Sequence, residues 1–516
     1  MAGLLACWLL LLTLTPVRPL AMPDEGRYAE ISRWMLHSGD WLVPRLNGLP
    51  FFHKPPLLHW LQALAMAVLG VHPWVARLVP VLAAGLMLGG LLLAGQRLLG
   101  AAVARRAGWM LALSPAFLLG GQYINHDMLV ASWIATAIWC FALAFDAGDR
   151  PHAGWARAGF AACALGLLTK GLIGVVLPGM VLFFWLTATR RWRQVPRLPW
   201  FSGVALFLAI AAPWFVLAGQ HYPRLWAYLF GFQQFTRFTS SGFNNQQPWW
   251  YYLAGLALLL CPWPLWLRWA RPEAGAERRR ARDAALLCWI WLVAITLFFS
   301  IPRSKLIGYI LPVLPPLALL AALGWERAMA HRPHAGRGFA ALALLPLGVS
   351  LAVTFGYQRW EGHKLSGDMA RTLACRVAPE DTVYVLGGFP YDLPFVAQTT
   401  RPLVVLQDWA HQRQSGADNW RQELLDAGDF EPARAAELLR TPDVLVAAAR
   451  QPRRWLLAPR QPADDDERPP PGWHAVADST RWTLWRSDAA GAEGAPAARL
   501  PGCQDEGLAR VGPASK

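Results

Sequence analysis

Residues 4–31 read LLACWLLLLTLTPVRPLAMPDEGRYAEI. An apolar run long enough to enter a bilayer is followed at once by Asp24, Glu25, Arg27 and Glu30. A chain that leaves hydrocarbon and immediately presents charge is either forming the polar face of a surface helix or doing chemistry at the water boundary. Composition favours a membrane protein throughout. Of 516 residues, 55% are hydrophobic and 16% charged, whereas a soluble chain carries about 25% charged residues. No cationic segment precedes the first run, and Pro16, Arg18 and Pro19 make a poor cleavage site. It therefore reads as a retained first helix rather than a signal peptide.

Working outward, apolar runs recur at 3–20, 74–96, 104–123, 128–145, 156–169, 172–189, 200–219, 249–267, 284–301, 306–324 and 338–356. Runs of about 20 residues match the thickness of a hydrocarbon core, so the expected architecture is mainly α, with about 11–13 transmembrane helices. The piece PPLLHWLQALAMAVLG (55–70) is short and proline-led, and reads as interfacial or re-entrant. Charge parity supports that choice. If 55–70 does not cross, Arg97, Arg105 and Arg106, Arg150 and Arg157, RRWRQVPR (190–197), RWARPEAGAERRRARD (268–283), and Arg327, Arg332 and Arg337 all fall on one side. The positive-inside rule makes that side the cytoplasm. The net charge of +15 is then an orientation signal, and no nucleic-acid partner is expected.

The organisation expected is a transmembrane domain over 1–357, with amphipathic juxtamembrane helices in its first outside loop, 21–55. An outside α/β domain follows over 358–485, then a loosely ordered tail, 486–516. DTVYVLGG, RPLVVLQ, PDVLVAAA and WTLWRSD read as strands, and NWRQELLDAG and EPARAAELLR as helices. Five of the seven cysteines lie in apolar runs and read as small core residues. Cys375 and Cys503 lie in the polar tail, where they would pair only in an oxidising compartment.

The unusual polar residues gather in the outside loops. DEGRYAEISRWMLHSGD places Tyr28, Ile31, Trp34 and Met35 at helical spacing, an amphipathic helix lying on the membrane. Arg27, Glu30, Arg33 and Ser38 are then its solvated face, unless they act on a ligand. Asp24 stands at the mouth of the first helix, where a carboxylate can serve as a base or bind a hydroxyl. Lys54 precedes a double proline that stiffens its backbone. Asp127, in YINHD, opens a crossing on the same side. Lys170 is a lone lysine between apolar halves and calls for a partner. Arg303 and Lys305 stand at one helix entrance, with Tyr309 one turn deeper, and the long loop adds Arg237. Such cations suit a lipid phosphate or diphosphate, and the carboxylates suit sugar hydroxyls or proton transfer. No P-loop, GxGxxG, GxSxG or HExxH motif is present.

PDEGRYAEISRWMLHSGDWLVPRLNG, HKPPLLHW, INHDM, LTKG and RSKLIGYILPVLPPLALL resemble the bacterial integral-membrane glycosyltransferases of the GT-C fold. These are typified by the 4-amino-4-deoxy-L-arabinose lipid A transferases, with protein O-mannosyltransferases as wider relatives. The resemblance covers most of 20–325. It implies transfer of a sugar from undecaprenyl phosphate, a polyprenyl carrier, to lipid A or another glycan or protein acceptor. The enzyme would span the inner membrane with its N-terminus cytoplasmic and its C-terminal domain periplasmic.

On this reading Asp24 and Asp127 are the catalytic acidic residues, and Arg27, Lys54, Arg237, Lys305, Tyr309 and Lys170 bind substrate. The resemblance also implies a divalent metal. Here His53 replaces the family's usual Glu before KPP, and Gln233 and Gln234 stand where the family has Glu-His. Glutamine is a poor metal ligand, which leaves His53 alone as a candidate. The implied mechanism is inverting displacement at the anomeric carbon. Lys54, Arg237 and Lys305 stabilise the departing phosphate while Asp24 orients the acceptor. A lipid-linked-sugar transporter would instead want polar residues along the crossings, and these are mostly clean.

Overall fold

The computed structural model describes residues 2–146, 148–236, 245–271, 279–329, 331–362, 365–415, 418–463, 465–487 and 489. The chain forms two compact units, one of 1–18, 53–65 and 74–356, the other of 19–52, 66–73 and 357–516. Most of the 486–516 tail lies outside the described residues.

The first unit is helical. Among the described residues, six helices are long and apolar enough to cross a membrane: Pro73–Leu99, His126–Phe145, Trp200–His221, Arg279–Ser300, Ile307–Met329 and Ala335–Tyr357. Ala2–Leu14, Leu57–Leu69 and Ile173–Thr189 are apolar but shorter. Two expected crossings are broken, at 101–112/115–120 and 251–259/263–269. Ser114 caps the second piece of the first and Pro115 starts it. Cys261 and Pro262 interrupt the other.

Three helices show which residues share an end of this unit. His126–Phe145, Ala153–Lys170 and Ile307–Met329 carry Asp127, Lys170 and Tyr309 at one end, where these three meet. At their other ends the basic loops interlock. Arg191 pairs with Asp283 at 2.8 Å, Arg280 with Asp146, Arg106 with Glu326 at 2.6 Å, and Arg157 reaches Ser202 at 2.9 Å. A 20-residue helix is about 30 Å long, so the arginine-rich loops and the acidic–lysine cluster lie at opposite ends. Gly166 and Gly174 bring the two helices flanking Lys170 into backbone contact, and Gly171, at φ +80°, ends the first of them.

Arg77 had no prominence in the sequence, yet it is fully buried. Its Nη1 donates to the carbonyls of Thr15 at 2.7 Å and Arg18 at 2.8 Å. A cation on carbonyls just beyond the end of helix 2–14 also complements the negative end of the helix dipole.

The second unit is built on a six-stranded sheet. Its strands are β3 (Thr382–Leu386), β4 (Val404–Leu406), β5 (Leu439–Arg440), β6 (Arg454–Pro459), β7 (Trp473–Asp478) and β8 (Trp482–Ser487). A small hairpin of β1 (Arg45–Leu46) and β2 (Leu49–Pro50) precedes them. The order is β5-β4-β3-β6-β8-β7, parallel from β5 through β6 and antiparallel beyond. This is half of a doubly wound sheet closed by a hairpin. Its strand order reverses between β3 and β6, the crevice where such sheets commonly receive ligands. PDVLVAAA is not a strand: Val444–Ala448 is a short helix, and the apolar strand alongside β3 is β6.

The loop 19–52 folds with this unit, not as a surface of the helical one. Helix Asp24–Ser38 forms as its spacing predicts and ends on Gly39 at φ +72°. Glu30 and Arg33, however, are not a solvated face. They are 3% and 4% exposed, joined by two bonds of 2.7 Å, and Arg33 also donates to the Thr399 carbonyl at 2.8 Å. Ile31 and Phe51 join the core with Leu393, Val405 and Trp455. Asn47 and Leu403 exchange two hydrogen bonds of 2.8 Å, and Arg45 grips Glu431 through two of 2.9 Å.

Candidate functional site

In the helical unit, Asp127 and Lys170 form an ion pair whose side chains are 8% and 11% exposed. Asn125 caps the helix through the Asp127 N–H at 2.9 Å and donates its amide to Asp127 Oδ2, also at 2.9 Å. The Lys170 ammonium sits 4.1 Å from the centre of the Tyr309 ring. Gly308 leaves room for the Asp127 carboxylate, which a Cβ there would strike. The partner that Lys170 calls for is thus the acidic residue at the neighbouring helix entrance.

Lys54 is half-buried, and its ammonium donates to the His53 carbonyl at 3.0 Å. The segment is tied to the same end of the unit. The His59 ring meets that of His126, beside Asp127, with centroids 5.5 Å apart. Lys305 is 3% exposed and donates to the carbonyls of Gln247, at 3.1 Å, and Pro302. Its backbone N–H reaches Asn245 at 3.0 Å, and burial pulls its ammonium below the usual lysine range. Arg237 and the side chain of Gln234 lie outside the described residues.

Around His53 the described residues offer only neutral donors. Its ring lies against Tyr228 at 5.8 Å between centroids, and Gln233 donates to the Tyr228 hydroxyl at 2.9 Å. An imidazole, a phenol and an amide bring no carboxylate, the ligand that hard ions such as Mg2+ and Ca2+ favour. Among the described residues no group of three His, Cys, Asp or Glu is placed to hold one.

Asp24 and Arg27 belong to the other unit. Asp24 opens helix 24–38, where a carboxylate suits the helix dipole. Glu25 accepts the Ala21 N–H at 2.8 Å and fixes the turn before it. Arg27, one turn on, donates to Asp24 and to Glu423, a residue with no signal in the sequence. The guanidinium lies near the rings of Tyr28, at 4.8 Å, and Tyr391, at 5.7 Å. Burial alone would lower its affinity for a proton, but Glu423, Tyr28, Asp24 and Tyr391 outweigh it and hold Arg27 well above the ordinary range. Burial and then Glu423 push the Tyr391 hydroxyl up as well, so it stays protonated and donates to Glu423 at 3.3 Å. Tyr391 and Asp392 follow the end of β3, at the reversal of strand order. Gly26 lets their backbone approach, since a Cβ there would stand 2.7 Å from the Asp392 nitrogen.

The helical unit thus carries an acid and a lysine at one end and is joined in sequence to an α/β unit that takes in the first loop. The chain superposes on ArnT from Cupriavidus metallidurans bound to undecaprenyl phosphate with a TM-score of 0.79 and 26% identity, over 96% of this chain and 99% of that one. It shares the ArnT fold. Residues 53–217 match the family described as dolichyl-phosphate-mannose-protein mannosyltransferase. The chain is 36% identical, over 63% of its length, to an undecaprenyl phosphate-α-4-amino-4-deoxy-L-arabinose arabinosyl transferase of Sodalis glossinidius. It is 34% identical, over 64% of its length, to one from Pseudomonas aeruginosa. These matches span about three fifths of the relatives' own lengths, 59% and 60%. The resemblance read from the motifs therefore holds in sequence and in fold, and the chain is a multi-pass membrane protein.

Proposed function

We propose that this chain is a membrane glycosyltransferase. It moves a sugar from undecaprenyl phosphate to lipid A, by displacement with inversion. The observation that carries the reading is the fold match to an undecaprenyl-phosphate-bound ArnT along nearly the whole chain. The departing group is a lipid phosphate whose negative charge grows as the bond to the sugar breaks. Lys54, Lys305 and Arg237 supply the counter-charge, worth most where water is scarce. Asp24 and Asp127 hold the acceptor and sugar hydroxyls. Lys170 and Tyr309 fix the Asp127 side. Arg27, already met by two carboxylates, orients Asp24 more readily than it grips a phosphate.

The arginine-rich end faces the cytoplasm of the inner membrane, in line with the positive-inside rule. The α/β unit is then periplasmic, and the disulfide at Cys375 suits that oxidising compartment. The five membrane cysteines are free. The described donors around His53 are neutral, and no step is assigned to a metal.

The family match over 53–217 favours a second reading, a protein hydroxyl as acceptor. A lipid A mass spectrum separates the two. Deleting the gene and restoring it on a plasmid should remove and return a pentosamine increment on lipid A phosphate. Lipid A of unchanged mass, with a glycoprotein band lost, would favour the protein acceptor.

A further inference from the structure

We propose that Glu423, on the C-terminal α/β domain, is a positioning residue for Asp24 and acts through Arg27. The inference rests on the transferase reading above. Arg27 Nη1 donates to Glu423 and Nη2 to Asp24, so the planar fork is held at both ends. A guanidinium gripped on one side by a carboxylate of the domain cannot swing, and the Asp24 carboxylate bound to its other side inherits that fixity. Tyr391 steadies Glu423 by a hydrogen bond of 3.3 Å, and Tyr28 and Tyr391 flank the guanidinium.

The charge balance points the same way. One cation between Asp24 and Glu423 leaves the trio with a net negative charge. With Glu423 neutral, Arg27 would cancel Asp24 and gain freedom to turn. The Arg45–Glu431 pair ties the same loop to the same domain through different residues. It is the natural control for an effect on docking alone.

The test uses full-length protein in proteoliposomes, with undecaprenyl-phosphate-linked 4-amino-4-deoxy-L-arabinose as donor and lipid A as acceptor. Glu423→Gln should lower kcat about 10- to 100-fold with donor KM within about twofold, the signature of lost orientation. Arg27→Gln and Glu423→Gln together should be no worse than Arg27→Gln alone, because one acts through the other. Glu431→Gln should keep near-wild-type kcat. Wild-type kcat in Glu423→Gln, an equal loss in Glu431→Gln, or losses that multiply in the double variant would overturn the proposal. Should Glu423→Gln fail to fold, Tyr391→Phe decides, with kcat expected to fall several-fold at constant KM; an unchanged kcat counts against it. A wild-type protein that transfers no sugar overturns the transferase reading as well. Transfer that is lost in Asp24→Asn but intact in Glu423→Gln overturns this inference only.

Discussion

A lysine buried in a membrane unit persists only if its charge is met, and Lys170 meets Asp127. Taking one partner away leaves the other charge buried and uncompensated, at a cost of about 3–5 kcal/mol. Lys170→Met should therefore lower the thermal unfolding midpoint in detergent sharply, and adding Asp127→Asn should restore most of it. If Lys170→Met is as stable as wild type, the pair is not the buried ion pair described. The need for a partner was legible in the sequence, since a lone lysine in LLTKGLIG is costly without one. Its identity was not, because Asp127 and Lys170 are neighbours only after two helices pack. Glu423 had less signal still. It lies in an ordinary amphipathic helix, NWRQELLDAG, and its partner is 396 positions away.

At the scale of elements, helix 24–38 shows where periodicity suffices and where it misleads. Its extent follows from the spacing of Tyr28, Ile31, Trp34 and Met35, and Gly39 ends it. Its environment does not follow. An amphipathic pattern reads alike whether the polar face meets water or a partner that satisfies it. Here Glu30 and Arg33 satisfy each other and are covered. Gly26 is the close-approach point that permits this. Gly26→Ala should cost about 1–3 kcal/mol through overpacking and speed hydrogen exchange across 24–38. Gly39→Ala meets open space but sits at φ +72°, and should cost about 1 kcal/mol. Equal exchange in Gly26→Ala and wild type would contradict the docking described. PDVLVAAA failed as a strand for a related reason. A short apolar run cannot be told from a buried helix by composition, and RRWLLAP supplied the central strand instead.

For the whole molecule, the membrane unit was the most legible part, since length and apolarity alone decide whether a segment can cross a bilayer. The basic loops told the two ends apart, and ion pairs such as Arg191–Asp283 and Arg106–Glu326 show that they do interlock. The allegiance of the first loop was hidden. Residues 19–52 lie between two segments of the membrane unit in sequence but fold with residues beyond 357, through long-range contacts such as Asn47 to Leu403 that no local pattern encodes. That arrangement places the acidic residue after the first helix under the control of a domain at the far end of the chain.

The most direct test of the account is sugar transfer by purified protein in proteoliposomes, from a labelled undecaprenyl-phosphate-linked aminoarabinose to lipid A. The wild-type protein should transfer the label, while Asp24→Asn and Lys54→Ala, folded as judged by an unchanged melting curve, should each lose at least about 100-fold in rate. No transfer by the wild type, or full transfer by either variant, would contradict it.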